Sequence, residues 1–307
     1  MDVLQLVTTR RPFFHKQVEA LERHGINCTV LEVPGGDEAT RSPMAYLRFY
    51  TESLSAAPWQ YDLVHANYGL TAPMALAQPT RPVVLSLWGS DIFGQYDRLS
   101  RQCATLADEV VVMSSAMADA LGEACHVIPH AVDFEQFEPV PTETAKETLG
   151  WDDSRYHVLF PYDPDRAEKD HPRAVRVIDA VNERLDTPVS LEVVHGVAHD
   201  RVPTYMNAAD ALILTSTHEG SPNAVKEALA CNTPVVSVNV GDVASLIDGA
   251  ARSAVCADDE ELTTALTATL QSSEAVHGRA AVEPLRLDRM AERLTAVYRS
   301  AIDRRCA

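Results

Sequence analysis

The 307-residue chain is nearly without lysine. Lys16, Lys146, Lys169 and Lys226 are the only four, so positive charge rests mostly on arginine, and 44 acidic against 26 basic residues give a formal net charge of −18. A surface of that sign disfavours non-specific binding to nucleic acid or to an anionic membrane, so no nucleic-acid partner is expected. An anionic ligand would need a local positive pocket. The excess of Asp and Glu over Lys looks salt-adapted. Long apolar runs are also missing: no stretch approaches the ~18 residues that span a bilayer. The opening Met-Asp-Val-Leu-Gln shows no basic segment leading into an apolar run, so no secretory leader is expected. The six cysteines, Cys28, Cys103, Cys125, Cys231, Cys256 and Cys306, form no Cys-x-x-Cys pair. Their scatter argues against a zinc site and against a disulfide framework, and a reducing cytoplasm is the expected setting. Apolar content of 46% supports full cores, and the length suits two domains of ordinary size.

One stretch organises what is present. Residues 211–237 read as strand, loop, helix, turn and strand. Ala211 to Thr215 is a short apolar run of buried-strand type. His218 to Ser221 is a polar loop containing Gly220. Ser221 suits an N-cap and Pro222 the first helical position, so a helix is predicted to begin there. Asn232 stands where a left-handed residue closes a helix, Pro234 blocks further helix, and Val235 resumes a strand. A helix N-terminus entered through a polar loop presents free N–H groups and a positive dipole end, which would hold an anion such as a diphosphate. The amides of Ser221, Pro222's neighbour, to Asn223 are the candidate donors. Glu219 precedes the helix and Glu227 lies within it, roughly 7–8 Å further along the axis from Pro222. Carboxylates only accept hydrogen bonds and suit paired hydroxyls, such as those of a sugar or a ribose.

Glu219 and Glu227 have the Glu-(seven residues)-Glu spacing of the retaining family-4 glycosyltransferases (glycosyl transferases group 1), and the flanking Glu219-Gly-Ser-Pro-Asn223 and Glu227-Ala-Leu-Ala-Cys-Asn-Thr-Pro-Val-Val236 are similar to that family too. The resemblance covers most of residues 60–250 and is strongest after Tyr156. It implies an α/β GT-B fold, two doubly wound Rossmann-like domains facing across a cleft. It further implies transfer of a sugar from a nucleotide-sugar donor to a hydroxyl acceptor with retained configuration. The family carries an Arg and a Lys against the donor diphosphate, and Arg166 and Lys169 have a matching offset. A fork and a point charge would neutralise two phosphates. Trp88-Gly-Ser-Asp91 stands where the family commonly has His-Gly-Ser-Asp. Trp88 cannot shuttle a proton, and Asp91 is the candidate for binding or polarising the acceptor. The resulting assignment is catalytic Glu219, Arg166, Lys169 and Asp91, and donor-binding Gly220, Ser221, Pro222, Asn223 and Glu227. No metal or other cofactor is expected, since no Asp-x-Asp arrangement is read as placed to bind one beside a diphosphate.

The remaining chain alternates strand and helix. Strands are predicted at Val3 to Thr8, Ile26 to Val33, Pro82 to Leu87, Ala107 to Ser114, His157 to Pro161 and Val189 to His195, with a further strand from about Tyr61 and one at Val255. The glycines 35 and 36 fall in a turn after the second strand, whereas the family often has a glycine pair in the first loop. Helices are predicted at Gln17 to His24, Ser42 to Ala56, Thr142 to Leu149, Pro172 to Leu185 and Glu260 to Leu270, with an apolar stripe of Leu287, Met290, Leu294, Val297 and Ile302 on a terminal helix. Asp133 could cap a turn, and Gly241 could allow close approach of backbone to a ligand. The expected domains are 1–140, which binds acceptor, a linker at 141–155, 156–284, which binds the donor, and a returning helix at 285–307. The acceptor is expected to be a glycan, lipid-linked or small hydroxyl compound, with peripheral association at the inner membrane face and oligomeric state both open. Alternatives of the same fold are a nucleotide-sugar-binding or partner subunit without activity and a nucleotide-sugar isomerase.

Overall fold

The computed structural model describes residues 1–35, 41–55 and 58–306. Gly36 of the expected turn and Ala56 of the expected helix lie outside the described residues. The chain forms two compact units, Met1–Ala131 with Leu287–Ala307, and Val132–Arg286. Among the described residues no helix is long and apolar enough to cross a membrane.

Among the described residues the first unit is built on six parallel strands: Asp2–Val7 (β1), Asn27–Glu32 (β2), Leu63–Asn67 (β3), Val83–Leu87 (β4), Glu109–Val112 (β5) and His126–Val127 (β6). They lie in the order β2-β1-β3-β4-β5-β6. Every residue of β3 and β4 is buried, which is why these strands read as unbroken apolar runs rather than alternating ones. Helix Pro12–Arg23 packs on the long helix Leu287–Cys306, so the chain returns to this unit after the second is complete.

That return is fastened by a polar network inside the first core. Tyr298 is fully buried. Its hydroxyl accepts from Gln5 Nε2 at 3.2 Å and stands 2.6 Å from His65 Nδ1, while His65 Nε2 stands 2.7 Å from Ser86 Oγ. Gln5 Oε1 in turn accepts from Asn67 Nδ2, and Asn67 Oδ1 from Gln17 Nε2. Five elements thus share one chain of hydrogen bonds. Burial holds the His65 imidazole down to about 3, so it stays neutral in the fold.

The second unit has five parallel strands: Tyr156–Phe160 (β7), Val189–Val193 (β8), Ala211–Leu214 (β9), Val235–Val238 (β10) and Ala254–Cys256 (β11). Their order is β11-β10-β9-β7-β8. Alternate residues serve opposite faces. Leu159, Leu212 and Leu214 join the core under helix Asn223–Ala230, whereas Val158, Phe160, Ala211 and Ile213 join the core with helices His171–Asn182 and Asp259–Gln271. Both units are therefore doubly wound α/β layers, as expected.

The units meet the chain at a different place from the one expected. The chain passes from first to second between Ala131 and Val132, and the stretch 141–155, expected as a linker, belongs to the second unit. Its helix Thr142–Leu149 is seated by Lys146, which is buried with its Nζ 3.0 Å from Asp210 Oδ2. Charge and prolines made this segment look exposed, but its lysine is an internal anchor.

Replacing Tyr298 by Phe strands the Gln5 amide and His65 Nδ1 in the core. The expected cost is about 1–3 kcal/mol, read from the urea midpoint. Because the folded His65 binds its proton far more weakly than an unfolded histidine, the unfolded chain takes up the proton first as pH falls. Stability is expected to drop from pH 6.5 downward until about pH 3, measured as the urea midpoint across that window.

Candidate functional site

In the second sheet the chain runs from β7 out to β8 and returns on the other side to β9. The strand order reverses between β7 and β9, and the loops leaving their C-terminal ends form the crevice where open α/β sheets hold ligands. Arg166 and Lys169 lie in the loop after β7, Glu219 to Pro222 in the loop after β9, and Asn223 opens the helix that follows. The two loops are stitched together. Thr215 Oγ1 donates to the carbonyls of Lys169 and Asp170 at 2.9 and 3.0 Å, and the Thr217 amide donates to the Glu168 carbonyl at 2.9 Å.

At the centre Lys169 Nζ meets Glu219 Oε1 at 2.5 Å. Lys169 is only 5% exposed, and its ammonium also sits 4.0 Å from the centroid of the Tyr162 ring, a cation–π contact. Ser216 Oγ donates to the same Glu219 oxygen at 2.8 Å. Among the described residues the Tyr162 hydroxyl has no hydrogen-bond partner. Burial pushes that phenol well above its ordinary range, with Glu219 and Glu227 adding to the shift and Arg166 opposing it. Arg166 is placed differently from Lys169. Its side chain is 54% exposed, and its guanidinium pairs with Glu168, at 2.8 Å through Nε. Lys169 and Glu219 are therefore in direct contact, while Arg166 stands at the rim.

The helix begins one residue later than expected. Pro222 is the N-cap residue, with no side-chain cap, and the helix is Asn223–Ala230. Ser221 does not cap it: its hydroxyl donates instead to Asp242 Oδ2 at 2.7 Å. Proline fixes φ near the helical value but here keeps an extended ψ of 115°, which delays the first turn. The other end is as expected. Asn232 is left-handed (φ 59°), its amide donates to Leu229, and the Thr233 amide donates to Ala228, a Schellman closure.

Lys226 was missed as a site residue. It is 1% exposed on the buried stripe of the helix, beside Val225, Ala228 and Leu229. Burial brings its ammonium down to about 8, against the pull of Asp242, Glu227 and Glu219. A lysine on an otherwise apolar stripe, in a chain with four lysines, was the available signal. Asp242 is pushed up by burial, with Lys226 opposing. Gly241 (φ +57°) serves a close approach between backbones: a Cβ there would stand 2.8 Å from the Gly220 carbonyl oxygen and 3.1 Å from that of Glu219. Glu227 Oε1 meets His199 Nε2 at 3.2 Å, a contact that spacing along the chain does not reveal.

Asp163 and Asp165 have Asp-x-Asp spacing in the loop after β7. Asp163 Oδ1 accepts the Asp165 amide at 3.0 Å, its Oδ2 lies 3.9 Å from His195 Nδ1, and Asp165 is exposed. Among the described residues no group of three or more His, Cys, Asp or Glu could hold a metal ion.

Asp91 belongs to the first unit, in the short helix Ser90–Phe93 after β4. It is 0% exposed, and its carboxylate accepts the backbone amides of Trp88, Gly89 and Gly69 at 2.8–3.1 Å. Burial raises it to about 6, against the pull of those amides. Its contacts hold the Trp88–Asp91 turn to the loop after β3. Trp88 packs edge-on against Phe13 and His130, with ring centroids 4.9 and 5.5 Å away.

Residues 173–272, which include β9, the loop after it and the helix Asn223–Ala230 but not β7 or the loop with Arg166 and Lys169, match the family model described as glycosyl transferases group 1. That match lies within the second unit, and the fold of the chain is GT-B. A Bacillus subtilis (strain 168) protein that bears the name teichuronic acid biosynthesis glycosyltransferase TuaC is 28% identical over 60% of this chain and 55% of its own. The chain thus spans about half the length of that relative. Among solved structures, sucrose-phosphate synthase from Thermosynechococcus elongatus superposes with a TM-score of 0.76 at 16% identity, covering 98% of this chain and 99% of that one. HepE of Anabaena in complex with UDP-glucose gives 0.73 at 17% identity, covering 98% and 100%.

Gly241→Ala combines a left-handed alanine with a clash against the Gly220 carbonyl. It is expected to lower stability by at least about 1–2 kcal/mol, read by thermal unfolding of the purified protein.

Proposed function

We propose that the chain is a hexosyltransferase of retaining type, moving a sugar from a nucleoside diphosphate sugar to a hydroxyl acceptor. One observation carries this: a buried lysine, two glutamates and a helix N-terminus gather at the ends of β7 and β9. The helix amides from Asn223, with the Ser221 amide and the backbone of Gly220 and Pro222 before it, would hold the phosphates or the sugar. Lys169 would exchange Glu219 for the diphosphate, and Arg166 would leave Glu168 for the same charge, which grows as the leaving group departs. Glu219, released, accepts from sugar hydroxyls, and Glu227 accepts from the ribose. No metal is assigned, because the two cations do the neutralising, and no side chain is assigned as a covalent nucleophile. Front-face attack within the ion pair fits that choice.

Asp91 enters as a positioning residue for the Trp88–Asp91 turn of the first unit, the unit assigned to the acceptor. The UDP and UDP-glucose bound by HepE support a uridine donor, and the teichuronic acid name of the Bacillus relative supports an acceptor in cell-surface glycan, glycolipid or glycoprotein assembly. Such a protein would work in the cytoplasm, peripherally at the inner membrane face. Trp88, an indole where a proton shuttle would need a titratable group, favours a second reading, a nucleotide-sugar-binding or partner subunit without turnover.

A thermal-shift panel of uridine, guanosine and adenosine diphosphate sugars in high salt is expected to show one base raising the melting temperature. Lys169→Ala and Arg166→Ala are each expected to cut transfer by roughly 10²-fold, with folding checked by circular dichroism, and unchanged turnover would remove their assignment. Proton NMR of the product is expected to show the donor's anomeric configuration. Binding without transfer or donor hydrolysis would select the second reading.

A further inference from the structure

Gln136, His199 and Glu227 form a line of contacts to which no role is yet attached. The Gln136 side-chain nitrogen stands 2.9 Å from the carbonyl oxygen of His199 and 3.0 Å from its Nδ1. A carbonyl oxygen only accepts, so this nitrogen is the NH2 of the amide and the amide's orientation is determined. Its second hydrogen meets Nδ1, which is therefore the bare nitrogen of the ring. The ring proton then sits on Nε2, and Nε2–H donates to Glu227 Oε1 at 3.2 Å. The tautomer follows from geometry alone.

The parts of this line are themselves held. Asp133 Oδ1 accepts the backbone amides of Glu135 and Gln136 at 3.0 and 3.1 Å, the turn that the sequence suggested for Asp133. Phe137, buried, packs edge-on against the His199 ring with centroids 5.6 Å apart. Arg279 fixes the same segment from the far side, donating to the Phe134 carbonyl at 2.8 Å and to the Phe137 carbonyl. The chain just inside the second unit is thus built as a bracket that presents one amide to one imidazole.

A carboxylate has about four lone-pair sites. His199 occupies one on Oε1 of Glu227 and stops the group from turning freely. We propose that Gln136 and His199 are positioning residues that aim the remaining lone pairs of Glu227 at a vicinal diol, the ribose 2′- and 3′-hydroxyls of a ribonucleotide donor. This rests on the ribose role proposed above for Glu227. The set would then select ribonucleotides over their 2′-deoxy forms, since a carboxylate fixed for two hydroxyls is left short of a donor when one is missing.

Two measurements test it. The first needs no ligand: nitrogen-15 NMR of the imidazoles, with His199 assigned by its loss in His199→Phe. The expected signature is a bare Nδ1 and a protonated Nε2, lost or mixed in Gln136→Leu. The opposite tautomer in the wild type would overturn the relay. The second is calorimetric titration with uridine, guanosine and adenosine diphosphates and their 2′-deoxy forms. For the base that binds, His199→Phe, which keeps the ring packing without the N–H, is expected to weaken ribonucleotide binding about 10-fold. It should also narrow the gap to the deoxy form, while His199→Gln, which restores a donor near the Nε2 position, recovers most of both. An unchanged ratio in His199→Phe overturns the positioning role alone. A wild type that shows the expected tautomer but binds none of the three nucleotides overturns the donor reading and the ribose role together.

Discussion

The loops that form the crevice of the second unit are joined by an ion pair. Lys169 and Glu219 stand 2.5 Å apart where little water reaches them. Removing two charges from water is costly unless each finds further partners, and each does. Glu219 takes the Ser216 hydroxyl, and Lys169 takes the face of Tyr162. The pair joins the loops after β7 and β9 across the point where the sheet reverses its winding, so it fixes the mouth of the crevice as well as its charge. While the pair is closed the two charges offset each other, and an anion brought to the lysine would compete with the glutamate for it.

The scarcity of lysine acquires a meaning in this light. Three of the four lysines, Lys146, Lys169 and Lys226, are buried. Lys146 anchors a helix on Asp210, Lys169 meets Glu219, and Lys226 lies in the field of Asp242, Glu227 and Glu219. Lysine has been kept where a compact charge on a slender stem fits a tight interior, and surface positive charge is left to arginine. The formal charge of −18 belongs to the whole chain, while each of these buried lysines of the second unit lies beside an acidic residue.

Much of this was legible from residue order. The strands were, because parallel strands buried on both faces leave unbroken apolar runs. The helix Thr142–Leu149 and the left-handed Asn232 were, because a glycine or asparagine stop is a local signal. The spacing of Glu219 and Glu227 located the crevice. What escaped was set by tertiary contact. The two-residue β6 is too short to show a period, and helix Asp97–Ala104 is mostly polar. Proline at 222 fits a helix start or the residue before it, and only the hold of Asp242 on Ser221 decides between them. Arg166 and Lys169 look equivalent in sequence, yet one pairs with its neighbour Glu168 and the other with a residue fifty positions away. Gln136 and His199 lie sixty-three positions apart, and no local pattern brings them together.

The polar network of the first unit has a consequence for biosynthesis. Its sheet is complete in sequence by Val127, but its buried hydroxyl comes from Tyr298, which is translated only after all of the second unit. During synthesis the second unit, continuous from Val132 to Arg286, can close on itself as it leaves the ribosome. The first must wait with His65 and Gln5 unsealed until the last helix arrives. The nascent chain therefore carries an unfinished half ahead of a finished one, and any early halt in translation would release the first half without its closing helix.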